Sequence, residues 1–201
     1  MTVMVHGAAR AWGVAMLAAL GAHAWSLGAA GGGEGLPHLL WSCHVASLVL
    51  GVGLLAERRW LVAAGFLFHV AIGFPAWLVE VLVTQGTFGG ATLIGHLLVT
   101  SIVVHALPLV AGAVCLGSEP LPWRAVPAAW LMPIVMIPVS RRLTPPEMNI
   151  NLAHAVWPPL GDYFPSLWVF QTAMCGVTLG ALIVAAGAVG LVQRRWRAGR
   201  G

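Results

Sequence analysis

Lysine is absent from this chain of 201 residues, tyrosine occurs once, and charged residues of every kind amount to 8%. Soluble globular domains carry about a quarter charged residues, so the polar inventory is too small to cover a water-soluble fold of this size. Intrinsic disorder is excluded too, because it requires low hydrophobicity and high charge, whereas 59% of the chain is hydrophobic. Cysteine is scarce. Cys43, Cys115 and Cys175 cannot build a disulfide framework, and no CxxC pair marks a structural zinc or redox motif. Basic charge is not concentrated either: ten Arg against six acids give a formal net charge of +4. The arginines stand at the ends of apolar runs rather than on one face, which argues against nucleic acid as a partner and for membrane topology.

What the chain does have is apolar sequence, with a mean hydropathy of +0.89. Six runs predict membrane spans at about 11–31, 38–56, 60–84, 90–117, 122–140 and 166–192. They are separated by Gly31-Gly32-Gly33-Glu34-Gly35, Glu57-Arg58-Arg59, Thr84-Gln85-Gly86-Thr87, Gly117-Ser118-Glu119-Pro120 and Arg141-Arg142. The first run is long enough to cross the hydrocarbon core and reads as a retained span, not a cleaved signal. Lipid supplies no hydrogen-bond partners, so each span must satisfy its own backbone as a helix. The expected fold is therefore all-α, a polytopic bundle of six transmembrane helices forming one domain over 1–201. With a cytoplasmic N-terminus, eight arginines (Arg10, Arg58, Arg59, Arg124, Arg194, Arg195, Arg197, Arg200) lie inside and two (Arg141, Arg142) outside. The positive-inside bias thus places both termini in the cytoplasm and the long 141–165 loop outside. The Arg-only, Ala- and Gly-rich composition suggests a bacterial inner or plasma membrane.

Ionisable groups inside a membrane are costly enough to mark function. Counting 1.5 Å of rise per residue from the outer span ends puts His38 at the surface, with Cys43 and His44 about a turn and a half below. Glu80 and His96 fall in the same layer, beneath the loop that carries Glu147, Asn149, Asn151 and His154. His69 and His105 fall near mid-membrane, and His23 lies between the layers. On their helix His96 and His105 are nine positions apart and point to opposite faces. Cys43 shares a face with Ser47 at i and i+4 while His44 points about 100° away, which predicts separate roles for Cys43 and His44.

A thiol with a histidine in reach is a minimal nucleophile and general-base pair. At the depth of lipid ester carbonyls, this predicts a membrane acyl hydrolase or acyltransferase acting on a lipid ester or thioester. Cys43 is the expected nucleophile and His96 the expected base, with no cofactor or metal required and membrane lipids as partners. Glu80, Asn149, Asn151 and His154 are the expected substrate-binding residues, the last three as headgroup or oxyanion contacts. The stretches LPHLLWSCHVASLVLGVGLL, IGHLLVTSIVVHALPL and HAVWPPLGDYFP, in this order among six spans, resemble the androgen-induced membrane protein family of lipid-ester hydrolases. They are also similar to the YwaF-type six-helix membrane proteins, which carry a cysteine where the former carry a threonine. The resemblance implies a nucleophile at Cys43 and a base at His96.

A rival reading uses imidazoles as metal ligands. Bis-histidine haem needs two histidines from different helices at one depth, and His44 with His96 or His69 with His105 meet that count. Haem b and membrane electron transfer follow from that reading. A third reading, a small-solute transporter, draws on Pro127, Pro133 and Pro138 in the fifth span.

Overall fold

The computed structural model describes residues 6–31, 35–83 and 95–199, and among these no strand occurs. The breaks at Gly32-Gly33-Glu34 and Thr84-Gln85-Gly86-Thr87, and the first residues of the fourth predicted span, lie outside the described residues. The described residues form seven α-helices, in order α1 (His6–Gly31), α2 (Ser42–Leu55), α3 (Arg59–Phe68), α4 (Phe74–Val83), α5 (Gly95–Leu116), α6 (Ala125–Leu143) and α7 (Leu167–Ala198). A π turn, His69–Gly73, joins α3 to α4 in one continuous rod. Its cause is local. Pro75 has no N–H to give the carbonyl four residues back, and the ladder widens so that the Phe74 N–H reaches the His69 carbonyl instead.

Among the described residues three stretches are long and apolar enough to cross a membrane: Arg59–Leu82, Gly95–Leu116 and Leu167–Ala198. The second predicted span requires correction. Instead of one helix over 38–56, Pro37 opens a 3-10 turn at Leu36–Leu40, Trp41 is extended at ψ 135°, and α2 runs for only 14 residues. At 1.5 Å per residue that is about 21 Å, short of a hydrocarbon core of about 30 Å. The helix is flanked by α1, α3, α5 and α6, with Leu48 and Val52 left exposed on its outer side.

The bundle is apolar outside and encloses a cluster of polar side chains within. Leu82, Val114, Val184 and Val192 are each at least 61% exposed, while His23, His44, His69, His105, Ser47 and Ser101 are buried. An extensive exposed apolar surface around buried polar groups suits a lipid environment. Towards the C-terminal end of α2 the core is dry, with Leu50, Leu54, Val62 and Leu67 almost fully enclosed. Gly65 permits the approach of α3 to α2 there: a Cβ on it would meet the Ala46 carbonyl oxygen at 2.6 Å.

Hydrogen bonds identify the two ends of the bundle. At one end Arg10 pairs with Glu57 at 3.0 Å, Arg59 reaches the Leu116 carbonyl and Gln193 donates to the Gly117 carbonyl. At the other, the segment following α6 folds onto the start of α2. Helix α6 extends to Leu143, and three 3-10 turns (Pro146–Met148, Ile150–Leu152 and Pro158–Tyr163) organise the rest of the predicted 141–165 loop.

Candidate functional site

The site is built where α2 begins. The residue before α2, Trp41, makes no side-chain cap, and the orphan donor of the first turn finds its acceptor across the fold. Asn151 Oδ1 accepts from both the Ser42 N–H and the Ser42 hydroxyl, each at 2.8 Å. Its amide nitrogen donates to the Leu40 carbonyl and to Ser140 Oγ, each at 2.7 Å. Asn151 sits in the left-handed region at φ 56°, where Asn is among the residues best tolerated. The loop is further held by Arg141, which donates to the Ala153 carbonyl at 2.8 Å, and by buried Gln171, which donates to the Leu152 carbonyl at 2.9 Å. It is stapled to α2, α6 and α7 by side chains from each.

Below this staple four histidine rings form a contiguous cluster. Ring centroids are 4.9 Å apart for His23 and His44, 5.4 Å for His44 and His105, and 6.3 Å for His69 and His105. Each ring is anchored through one nitrogen, and the partners determine the tautomers. His44 Nδ1 lies 2.9 Å from the His38 carbonyl and His105 Nδ1 lies 2.8 Å from the Ser101 carbonyl. A carbonyl only accepts, so both Nδ1 atoms carry protons and both Nε2 atoms present lone pairs. Ser47 Oγ donates towards the Cys43 and Val104 carbonyls and therefore accepts from His69 Nε2 at 3.0 Å. Thr100 likewise donates within its own helix and accepts from His23 Nδ1 at 3.0 Å. Two of the remaining ring nitrogens, His44 Nε2 and His69 Nδ1, are buried without a hydrogen-bond partner among the described residues.

Cys43, half-buried on the first turn of α2, places its Sγ 3.4 Å from His105 Nε2. The S–H is the donor and the fixed lone pair of His105 the acceptor. Trp77 stacks on the His105 ring, with centroids 5.2 Å apart and planes 14° from parallel, and its Nε1 donates to Ser101 Oγ at 2.9 Å. Gly73 is required at the back of this site, because a Cβ there would lie 2.8 Å from His69 Nδ1 and 3.4 Å from the Cys43 Cβ. The donor atoms of Cys43, His44 and His105 all lie within 4.8 Å of one another.

Several expected roles change. His96 is exposed and its ring lies against Trp25 at 5.9 Å; the imidazole beside Cys43 is His105. The depth count misplaces them because Cys43 and His96 are each the second residue of their helix, yet α2 starts deeper than α5. The stagger matches the nine residues, about 13 Å of rise, between His96 and His105. The same stagger removes His96 from the expected haem pair, since the neighbours of His44 are His23 and His105. Cys43 and His44, expected to act apart, converge because the His105 ring reaches both. Of the expected substrate-binding residues, Asn151 is committed to the staple. Asn149 is committed to its own loop, where Oδ1 accepts from the His154 and Ala155 N–H groups, each at 2.9 Å. His154 Nε2 lies 3.4 Å from Thr144 Oγ1. Glu80 is half-buried on α4.

Ser101, Trp77, His38 and Ser47 were not expected to position this site. Two of them left a signal, as Cys43 with Ser47 and Ser101 with His105 are both i, i+4 polar pairs on otherwise apolar helices. Comparison of the chain with protein-family models, with curated proteins and with solved structures gives no match, so the functional reading rests on the geometry around Cys43.

Proposed function

We propose that the chain is a bacterial polytopic membrane protein with cytoplasmic termini, in which six segments run between the two ends of the bundle and the second, α2, is recessed from the outer one. It acts as an acyl hydrolase or acyltransferase on a lipid ester or thioester, with Cys43 as nucleophile and His105 as base. The observation that carries this reading is the 3.4 Å approach of Cys43 Sγ to His105 Nε2, in a ring whose tautomer is set by the Ser101 carbonyl. A base oriented by a third group and within reach of its nucleophile is the general arrangement of covalent acyl transfer. The start of α2 adds the positive end of a helix dipole beside the charge that develops on the substrate oxygen.

The chemistry balances on these two side chains. His105 Nε2 takes the thiol proton as the sulfur attacks the acyl carbonyl carbon. The tetrahedral intermediate collapses with cleavage of the bond to the leaving alcohol or thiol, which departs with the proton from His105. The acyl thioester on Cys43 is then attacked by water or by a second lipid's hydroxyl or amine, whose proton passes to His105. The C–S bond breaks and the thiol is regenerated with that proton. The six-span topology is supported by the exposed apolar faces of the helices. The orientation is supported by the gathering of Arg10 and Arg59 at the end opposite the Asn151 staple.

Purified protein in lipid nanodiscs is expected to react with a long-chain acyl-thioester probe. Cys43→Ala should abolish covalent labelling and His105→Ala should slow it by about 10²-fold or more, within the range for a lost general base. His96→Ala should label as the wild type does. Labelling that survives Cys43→Ala, or that disappears with His96→Ala and persists with His105→Ala, would refute the assignment.

A further inference from the structure

We propose that Cys43, His44 and His105 together form a binding site for a thiolate- and imidazole-preferring transition-metal ion, with Zn²⁺ the ion best matched by the donor set. The proposal goes beyond acyl chemistry and does not rest on it.

Three observations converge on the site. Its donor atoms lie within 4.8 Å of one another, with Sγ and His105 Nε2 already at 3.4 Å. Zinc bonds of about 2.3 Å to sulfur and about 2.0–2.1 Å to nitrogen require donors roughly 3.3–3.7 Å apart around a tetrahedral centre, a spacing the Cys43 Sγ and His105 Nε2 pair already has. Next, the two imidazoles are prepared as ligands. Each donates its Nδ1–H to a backbone carbonyl, that of His38 or Ser101, and this outer hydrogen bond is what fixes the ring of a metal-binding histidine and leaves Nε2 free. The third observation is His44 Nε2 itself, buried and without a hydrogen-bond partner among the described residues. A lone pair removed from water is unfavourable unless something binds it, and the thiol–imidazole pair does not use it.

A cysteine and two histidines leave one position of a tetrahedral zinc ion open, the ligand count of catalytic and exchangeable sites rather than of closed structural ones. Binding is a ligand exchange without redox change. The thiol proton is released to solvent, a sulfur–zinc bond replaces the S–H···N hydrogen bond, and His105 Nε2 transfers its lone pair from that hydrogen to the metal. The resulting centre has a net charge of +1. An acyl electrophile and the ion would compete for the same sulfur.

The test uses the full chain in nanodiscs, freed of metal with a chelator, equilibrated with Zn²⁺ alone and desalted. The wild type is expected to retain about one zinc per chain, and Cys43→Ser and His44→Ala each less than about a fifth of that. Co²⁺ provides a second readout on the unaltered protein. A thiolate-to-cobalt charge-transfer band should appear in the wild type, persist in Cys115→Ala and Cys175→Ala, and vanish in Cys43→Ser. Folded wild-type protein that holds no zinc and shows no cobalt band overturns the proposal regardless of how any variant folds. Zinc content unchanged by either Cys43→Ser or His44→Ala overturns it equally. None of these measurements involves an acyl substrate. Thioester labelling without zinc binding therefore refutes the metal site alone, and zinc binding without labelling refutes the acyl reading alone.

Discussion

The two ends of α2 are equally well buried and are built on opposite physical principles. Around Leu50 and Leu54 the helix meets Val62, Ala63 and Leu67 through hydrocarbon contact, and Gly65 brings the backbones together. Around Ser42, His44 and Ser47 the same helix is held by hydrogen bonds to Asn151, the His38 carbonyl and His69. In a membrane, apolar contact with a neighbouring helix has little advantage over apolar contact with lipid, so the dry end depends on close packing. The polar end depends on every donor finding its acceptor. Among the described residues of this helix, a lone pair without a partner stands near a thiol at the polar end. On the proposed reading, stability and reactivity are separated along one helix about 21 Å long.

That separation can be tested by substitution. The largest stability effect is expected at the dry end. Leu54→Ala should lower the unfolding free energy by about 2–5 kcal/mol, since the cavity term remains even where lipid replaces water as the solvent, while labelling at Cys43 in the folded fraction keeps its wild-type rate. Denaturant unfolding in detergent, paired with probe kinetics, checks both parts. A slowed Cys43 would show that the two ends are coupled and the separation false. At the polar end, Asn151→Ala strands the Ser42 donors and the Leu40 carbonyl. The expected loss is about 1–3 kcal/mol, together with slower labelling as the start of α2 loosens. Wild-type reactivity in this variant would reduce the staple to a purely structural element. Smallest is Arg10→Gln, which removes the pair with Glu57 at the far end. The Arg10 side chain is 65% exposed, so the change should stay below about 1 kcal/mol, with the midpoint of thermal unfolding nearly unmoved and labelling unaffected.

Much of the architecture was legible from residues alone. The predicted run at 60–84 corresponds to the α3–α4 rod, and that at 166–192 to α7, because hydropathy over twenty residues is a sum that neighbours barely alter. The second run was less legible. Nothing in LPHLLWSCHV distinguishes a long span from a 3-10 turn followed by a recessed helix except Pro37, whose effect depends on what lies above it. The chemistry followed the same division. Cys43 stood out by type and depth, whereas its partner required knowing how far α2 is sunk relative to α5. Asn149 and Asn151 looked like ligand-binding residues because polar side chains in a loop resemble one another in sequence. Their hydrogen bonds to the Ala155, Leu40 and Ser140 groups become visible only once the loop is folded against the bundle.

The amino-acid sequence by itself therefore determined an all-helical chain rich enough in apolar residues for a bilayer, with its histidines placed among apolar runs, since composition and periodicity are properties each segment carries alone. The tertiary structure decided that His105 and not His96 meets Cys43, and that His44 joins them. One residue of stagger between helices shifts a side chain by 1.5 Å and 100°. That stagger rests on contacts between segments distant in the chain: Ser47 of α2 donates to the Val104 carbonyl of α5, and Gly112 of α5 admits the Phe66 ring of α3.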